Sequence, residues 1–368
     1  MTKGVHIALC GGGTGGHVVP ALNIYRELKA RDSKLRFWYI GTRASLEERM
    51  AGEAGIAFNP VWITYLKRHF SFRNIALPFI ATVAVIQAMY YLIHNRIGLV
   101  IGTGGFSSWP ALVASSLIGI PYVLQEQNNL PGLVTRLTAK RARKIYLGYE
   151  RAIRHLKSVS ISKIKVTGNP VSNSFKPISK PEARKRFGLD EDRTTIFISG
   201  GSGGSASINL VVNALKNELI SEGFNLIWQT GARWDKADST GQDERANLFL
   251  DSFFTQEMMF EAYCAANLAV ARCGEMTLAE LAMAGLPAIL IPFPYSADGH
   301  QEENGRAVVD DGGGVMILDV DLTSSKLSES IKVILMPDRY EVMQAAMKLR
   351  RRPDAAGIIA ADILEILS

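Results

Sequence analysis

Cysteine is scarce and widely spaced in this chain: three residues, Cys10, Cys264 and Cys273, among 368. An odd, dispersed set excludes a disulfide framework and offers no metal-ligand spacing, which fits a reducing compartment. A strong excess of one charge is also lacking. Against 41 lysines and arginines stand 35 acidic residues, and the net charge of +6 is modest. It favours small anionic partners, such as nucleotides and pyrophosphates, or an acidic membrane face, and nucleic acid is not expected. A secretory signal is not expected either, because "GVHIALC" is a strand-length apolar run that ends in glycines, without a cleavage site. What is present is an apolar content of 47% with 21% charged residues, the balance of a folded chain. Its length suggests two domains.

One segment departs from a plain soluble pattern. Ile75 to Ile93, "IALPFIATVAVIQAMYYLI", carries no formal charge and reaches spanning length, although Pro78, Gln87 and two tyrosines weaken insertion. Three readings stay open: a buried helix of an α/β layer, a helix whose exposed part touches a membrane, and a true span. Lys67, Arg68 and Arg73 lie just before it and would attract anionic headgroups.

Short apolar strands alternate with helical patterns, which predicts βα units and parallel sheets. Strands are expected near Val5–Cys10, Leu35–Ile40, Ala57–Ile63, Leu99–Ile101, Tyr122–Leu124 and Lys144–Leu147. A proline-rich, charged stretch from Lys176 to Arg193 follows, and then the pattern restarts with "TTIFISGGSGGSASINLVVNAL". Each half therefore opens with strand, glycine loop and helix, and the halves are expected to be doubly wound domains facing a cleft.

Gly11, Gly13 and Gly16 satisfy G-x-G-x-x-G, and Gly201, Gly203 and Ala206 satisfy its alanine-ended variant. A dinucleotide site also needs a carboxylate at the tip of the second strand, to hold a ribose hydroxyl. Those tips read "YIGTRASLE" and "WQTGARWD", with no carboxylate in place, which argues against NAD. A third loop, "GTGGFSSWP", again joins a strand to a helix. Glycine lets backbone approach a ligand, and the free N–H groups of the next helix point at an anion. Three such loops exceed what tight turns alone require.

The segments "GGTGGHVVPAL", "GTGGFSSWPALVASSLIGIPYVLQEQN", "GNPV", "GGSGG", "RCGEMTLAELAMAGLPAILIPFP" and "DGHQEEN" occur in this order between Gly11 and Asn304. In that combination the chain resembles glycosyltransferase family 28, in its branch of peptidoglycan lipid-I N-acetylglucosaminyltransferases. The resemblance implies an α/β GT-B fold of two Rossmann-like domains, with the last helix crossing back to the first. The implied limits are 1–168 plus about 345–368 for an acceptor and membrane-side domain, and 169–344 for a UDP-GlcNAc domain. The implied reaction is inverting transfer of GlcNAc from UDP-GlcNAc to the C4 hydroxyl of MurNAc in undecaprenyl-pyrophosphoryl-MurNAc-pentapeptide, giving lipid II. The implied place is peripheral, at the cytoplasmic face of the cell membrane, on an anionic surface and beside other cell-wall enzymes. UDP-GlcNAc is the donor substrate, and no tightly bound cofactor or metal is expected.

The residues divide accordingly. Free N–H groups at Met276 and Thr277, at the start of a helix, would receive the donor diphosphate. Glu280 matches the family's ribose-binding glutamate, and Gln301 its contact to the transferred sugar. Thr14, Gly15, Asn128 and Ser202 are assigned to the donor by the same resemblance. Arg272 could pair with a uracil edge or a diphosphate oxygen. Gly13, Gly16, Gly104, Gly105 and Phe106 form the expected site for the acceptor pyrophosphate. The reaction needs a base near neutral pH, and His17 suits that, with Glu126 a second base or the group that orients it. A pyrophosphate ligand or a helix cap are the other readings of His17.

Four positions depart from the family pattern. Ser172 stands where arginine is common, Gly203 replaces glutamine, Cys273 replaces serine and Glu275 replaces alanine. A carboxylate at Glu275 beside a diphosphate repels it unless it is paired or points to solvent. Other functions remain open: a transferase acting on another lipid such as diacylglycerol, a UDP-GlcNAc epimerase, or a non-enzymatic nucleotide-sugar sensor.

Overall fold

The computed structural model describes residues 5–64, 72–172, 177–201, 203–232, 234 and 247–368. Lys67, Arg68 and the side chain of Arg73 lie outside this description. The chain forms two compact units. The first comprises Met1–Ser172 with Asp354–Ser368, the second Asn173–Pro353.

In the first unit the strands are β1 (His6–Cys10), β2 (Arg36–Thr42), β3 (Ala57–Val61), β4 (Ile97–Gly102), β5 (Tyr122–Glu126), β6 (Lys144–Leu147) and β7 (Ile164–Val166). They pair in parallel in the order β3-β2-β1-β4-β5-β6-β7. The helices α1 (Gly15–Arg31), α2 (Leu46–Glu53), α3 (Phe72–His94), α4 (Trp109–Ile118) and α5 (Leu133–Thr138) supply connections. Parallel strands covered on both faces must be apolar on both sides, and β1 shows this alternation. Ile7 and Leu9 join a cluster with Val18, Leu22 and Leu28 of α1, while Ala8 and Cys10 join one with Ala84, Ala88, Leu92, Ala111 and Leu112 of α3 and α4. The three-residue edge strand β7 was not legible as a strand; only Ile164 and Val166 are apolar.

The second unit holds α6 (Lys180–Arg186), β8 (Thr195–Ser199), α7 (Ala206–Ser221), β9 (Asn225–Gln229), β10 (Leu248–Asp251), α8 (Gln256–Ala265), β11 (Leu268–Ala271), α9 (Glu275–Ala284), β12 (Ala288–Leu290), α10 (His300–Asp310), β13 (Gly314–Met316), α11 (Ser324–Ile334) and α12 (Pro337–Leu349). Its six strands are parallel in the order β10-β9-β8-β11-β12-β13. Both sheets reverse direction of winding beside their first strand, between β1 and β4 and between β8 and β11. Doubly wound sheets bind ligands outside the carboxyl ends of strands at that switch point. The loops Gly11–Gly13 and Thr103–Gly105 flank it in the first unit, and the glycines Gly200, Gly201 and Gly204 and the loop Arg272–Gly274 flank it in the second.

The final helix, α13 (Ala355–Leu367), belongs to the first unit. Ile359, Ala360 and Ile363 complete the cluster that holds α1, and Asp362 accepts hydrogen bonds from Tyr146 Oη (2.6 Å) and Lys165 Nζ (3.0 Å). The expected return near residue 345 falls inside α12. That helix stays with the second unit, because Met343 and Met347 are buried in its two clusters. The chain crosses at Pro353–Asp354 instead.

Helix α3 is long and apolar enough to cross a membrane, yet only 22% of its Leu77–His94 window is buried. That corrects the reading of a mostly buried layer helix. One stripe, Ala84, Ala88 and Leu92, packs into the unit, while Phe79, Ile86, Tyr90 and Ile93 form a second apolar stripe that is exposed. Gln87 Oε1 accepts from the backbone N–H of Trp62 at 2.8 Å, tying the helix to the segment that leaves β3.

Candidate functional site

The loop after β1 owes its shape to close approaches that only glycine permits. A Cβ on Gly11 would lie 1.9 Å from Thr103 Oγ1, and one on Gly12 would meet the Glu47 carboxyl at 2.4 Å. Thr103 Oγ1 donates to His17 O at 2.6 Å, pulling the start of α1 against the loop after β4. Glu47 is buried beneath the glycines and accepts from the N–H groups of Gly13 (3.3 Å) and Thr42 (3.2 Å). Sequence reasoning missed Glu47, which looks like an ordinary first-turn glutamate of α2. Thr14 is the N-cap of α1 and makes no side-chain cap bond, and Gly15 and Gly16 begin the helix. Gly104 and Gly105 have φ of +92° and +79°, and a Cβ on either would crowd the His17 ring. The Phe106 ring lies against Gly13. The structure thus brings Gly13, Gly16, His17, Gly104, Gly105 and Phe106 into one region of the first unit.

His17 carries the most informative geometry. Its Nδ1 lies 3.1 Å from Gln127 Oε1. The Gln127 amide nitrogen is committed elsewhere, donating to Thr103 O (2.8 Å), Gln125 O (3.2 Å) and Gln125 Oε1 (2.5 Å). Gln127 therefore presents its oxygen to the imidazole, so Nδ1 must carry the proton in the neutral ring. The lone pair is then on Nε2, the form able to accept a proton. Asn169, from "GNPV", braces this arrangement by donating to Gln127 O (3.1 Å) and accepting from Gln125 (3.2 Å).

Glu126 does not have the freedom a base or an orienter of His17 requires. It is 2% exposed; Oε1 accepts from the Asn128 backbone and side chain (both 3.0 Å), and Oε2 from Gly132 N (3.1 Å). It shapes the loop after β5 and pins Asn128, itself buried. The side chain that meets His17 is that of Gln127, one residue on. A run of amides at the end of an apolar strand, "LQEQNN", was the available signal. Gln127→Leu removes the acceptor for Nδ1, and we expect kcat to fall on the order of 10-fold while the KM for UDP-GlcNAc holds. Steady-state kinetics check this, and equal losses in both constants would oppose it.

In the second unit, α9 starts at Glu275 with Gly274 as an N-cap that makes no side-chain bond. The first intrahelical donor there is Leu278 N to Gly274 O (2.9 Å), which leaves the preceding N–H groups, including Met276 and Thr277, without a helical partner. This suits an anion. Glu275 is 6% exposed and engaged within the fold, so it does not point to solvent. Cys273 is wholly buried, and burial pushes its thiol far up; a Cβ on Gly305 of α10 would touch its sulfur. In place of serine it is a packing residue. Gly203 is exposed and Ser172 is partly buried and engaged within the fold. Ser202 lies outside the described residues.

Arg272 is not available to a uracil or a diphosphate. Its guanidinium bonds Asp319 Oδ1 (2.5 Å), the carbonyls of Ile291 (3.2 Å) and Pro292 (3.1 Å), and the hydroxyls of Ser205 (2.6 Å) and Ser207 (3.0 Å). It lies 5.6 Å from the Phe293 ring centroid. Ser205 caps α7 after the second glycine loop, so this arginine clamps three loops together. Of the two adjacent phenylalanines that follow β10, Phe254 is core and Phe253 is 54% exposed.

Gln301 Oε1 accepts from Phe293 N at 2.9 Å, which leaves its amide hydrogens to meet a ligand oxygen. Glu280 Oε2 accepts from Tyr263 Oη at 2.9 Å. Burial raises the Glu280 carboxyl to about 7, and the Tyr263 bond offsets part of that rise. Two Asp-x-Asp triplets do occur, at Asp190–Asp192 and Asp319–Asp321. Asp190 pairs with Arg193 and Asp319 with Arg272, and among the described residues no group of three His, Cys, Asp or Glu could hold a metal.

Two parallel sheets of identical winding, each with glycine or helix-start loops at its switch point, define the GT-B class of nucleotide-sugar proteins. Solved structures match this fold over nearly the whole chain. Acinetobacter baumannii MurG has a TM-score of 0.77 at 24% identity, covering 98% of this chain and 99% of that one. The UDP-GlcNAc 2-epimerase of Neisseria meningitidis, bound to UDP-GlcNAc, scores 0.68 at 15% identity, covering 98% and 99%. The family models for the glycosyltransferase family 28 N-terminal and C-terminal domains match residues 7–147 and 195–358. Two curated relatives are named UDP-N-acetylglucosamine--N-acetylmuramyl-(pentapeptide) pyrophosphoryl-undecaprenol N-acetylglucosamine transferase. That of Salinibacter ruber is 34% identical, covering 99% of this chain and 98% of its own. That of Bacillus subtilis is 33% identical, covering 96% and 97%. The chain belongs to glycosyltransferase family 28.

Proposed function

We propose that the protein transfers GlcNAc from UDP-GlcNAc to the C4 hydroxyl of MurNAc in undecaprenyl-pyrophosphoryl-MurNAc-pentapeptide, producing lipid II. The observation that carries this reading is the fixed His17 tautomer among the first unit's glycine loops. His17 Nε2 takes the proton of the acceptor hydroxyl as its oxygen attacks the anomeric carbon. The bond from that carbon to the β-phosphate oxygen breaks on the opposite face, so configuration inverts and UDP leaves. The first-turn N–H groups of α9 receive the charge that develops on the leaving diphosphate, as a helix start does without a metal. Glu280 takes the ribose hydroxyls, and Gln301 a hydroxyl of the transferred sugar. In this reading Glu126 and Arg272 position loops and touch neither substrate.

The acceptor's lipid favours a site at a membrane, and α3 supplies a surface for it. The exposed stripe Phe79, Ile86, Tyr90 and Ile93 is joined by exposed Trp62 and, on α4 and α5, by Leu117, Leu133 and Leu137. Arg136, Lys140, Arg141 and Arg143 follow as exposed cations. Apolar side chains bordered by cations hold a helix in the plane of an anionic interface. The opposite stripe of α3 is packed in the core, which favours lying on the bilayer over spanning it. We expect Ile86→Glu with Tyr90→Glu to abolish most co-sedimentation with phosphatidylglycerol vesicles while UDP-GlcNAc binding is unchanged. Equal co-sedimentation of the variant would remove this surface from the proposal.

The reaction itself is tested with radiolabelled UDP-GlcNAc and a lipid-I analogue. Labelled lipid and stoichiometric UDP are the expected products. UDP release with an epimerised sugar and no acceptor would select the epimerase reading, and labelling of diacylglycerol a different lipid acceptor.

A further inference from the structure

Glu280 sits on α9, and its carboxyl is desolvated although the residue as a whole keeps some exposure. Among the described residues its hydrogen-bond partner is the hydroxyl of Tyr263 on α8, which donates to Oε2 at 2.9 Å. Tyr263 is 2% exposed and wedged edge-on against Phe197 of β8, with ring centroids 5.3 Å apart. The packed ring fixes the position of the hydroxyl oxygen against the Glu280 carboxyl. Burial also keeps it protonated, far above the usual tyrosine range. We propose that Tyr263 is a positioning residue for donor recognition, turning the Glu280 carboxylate so that Oε1 and the remaining lone pair of Oε2 meet the two ribose hydroxyls of the nucleotide. This rests on the reading of Glu280 as the ribose ligand.

The physical argument is one of orientation and charge. A glutamate has three rotatable bonds, and a diol is accepted well only when both oxygens are aimed together. One bond from a rigid donor fixes that aim before the ligand arrives. A diol donates its hydrogens to the ionised carboxylate, whereas desolvation favours the protonated form. Tyr263 is the group that leans the other way. Charged groups on or beside elements packed against α9 include Glu261 on α8, Glu302 and Arg306 on α10, Lys348 on α12 and Arg351 just after it. None of them contributes to the Glu280 shift, whose causes are burial and the Tyr263 bond. Donor affinity is therefore linked to one proton.

The test is calorimetric titration of the full chain with UDP-GlcNAc, without acceptor, from pH 6 to pH 8. The diphosphate of this ligand bears no group that titrates in that range. With a carboxyl near 7, affinity of the native protein is expected to rise about 10-fold across the range, following the ionised fraction. A cation that lost its charge across this range while acting on an anionic donor would give the opposite sign. Tyr263→Phe keeps the ring and removes the hydroxyl, and the midpoint of the rise should move to higher pH. Glu280→Gln should bind weakly and show no rise.

The outcomes separate the two claims. Glu280→Gln binding as tightly as the native protein at pH 8 would overturn the ribose reading itself. A weak Glu280→Gln beside a Tyr263→Phe whose midpoint stays put would overturn the role of Tyr263 and leave that reading standing. A flat native profile would overturn the linkage. Thermal denaturation supplies a readout independent of ligand. The Glu280 carboxyl moves from 4.5 to about 7 on folding, so its contribution to stability is full below 4.5 and lost as pH rises through 7. Glu280→Gln should therefore gain in melting temperature relative to native between pH 5 and pH 8, and no relative gain would place the carboxyl in water.

Discussion

His17→Ala is expected to lower turnover on a lipid-I analogue by roughly 100-fold or more, the range for loss of a general base. UDP-GlcNAc affinity should stay within about 2-fold, because a base acts on the acceptor hydroxyl and only in the transition state. The geometry makes the prediction specific. Gln127 can only accept from His17, since its nitrogen already donates to Thr103 and Gln125. The imidazole lone pair is thereby assigned to Nε2 rather than shared between two tautomers. His17→Asn retains a side chain able to meet Gln127 but cannot take a proton, so it should fall as far as alanine. A pyrophosphate ligand would instead show its loss in acceptor KM, with kcat preserved. Near-native turnover in both variants would remove the base role. Glu126 could not inherit it, because three N–H groups occupy its oxygens.

The second large effect is expected at Arg272, and its first expression is stability. The arginine and Asp319 keep side-chain exposures of 11% and 20%, and the guanidinium joins three loops. Arg272→Met strands a largely buried carboxylate and two serine hydroxyls, at a cost of about 3 kcal/mol or more. Denaturation of the second unit should shift accordingly, and donor affinity should fall with it because the loops after β8 and β12 lose a common anchor. Arg272→Lys cannot span five acceptors with one ammonium and should recover little. Adding Asp319→Asn to Arg272→Met removes the stranded charge and should restore part of the stability. If Arg272 bound the donor directly, Arg272→Met would lose affinity at unchanged stability, the opposite split.

The alternation of strands, glycine loops and helices was legible because each signal is local. Gly11, Gly105 and Gly204 stand where backbone or a side chain passes too close for a Cβ. The doubly wound class of both halves followed from short βα connections. What sequence did not disclose depends on partners distant along the chain. Glu126 and Gln127 are adjacent polar residues, and their different tasks are set by Gly132 on one side and His17 on the other. Arg272 reads as an exposed ligand beside a helix start until Asp319, forty-seven positions on, is found against it. The apolar charge-free segment of α3 predicted burial as readily as exposure, since both of its stripes are hydrophobic. Only the positions of β3 and α4 decide which stripe is covered. The return to the first unit was placed too early because α12 and α13 are both plain helices, separated by the short break at Arg350–Asp354.

That return has a consequence for synthesis. The second unit, 353 − 172 = 181 residues, is threaded into the first between Ser172 and Asp354. At roughly 5–20 residues per second, a ribosome needs on the order of 10–40 s to make it. Throughout that time one face of the first sheet awaits Ile359, Ala360 and Ile363, each isoleucine worth about 1.5–3 kcal/mol once buried. The nascent first unit thus carries an open apolar groove beside α1 until the last helix leaves the tunnel. The unit begun first therefore closes only after the second has been made, and holdase chaperones have that interval in which to act.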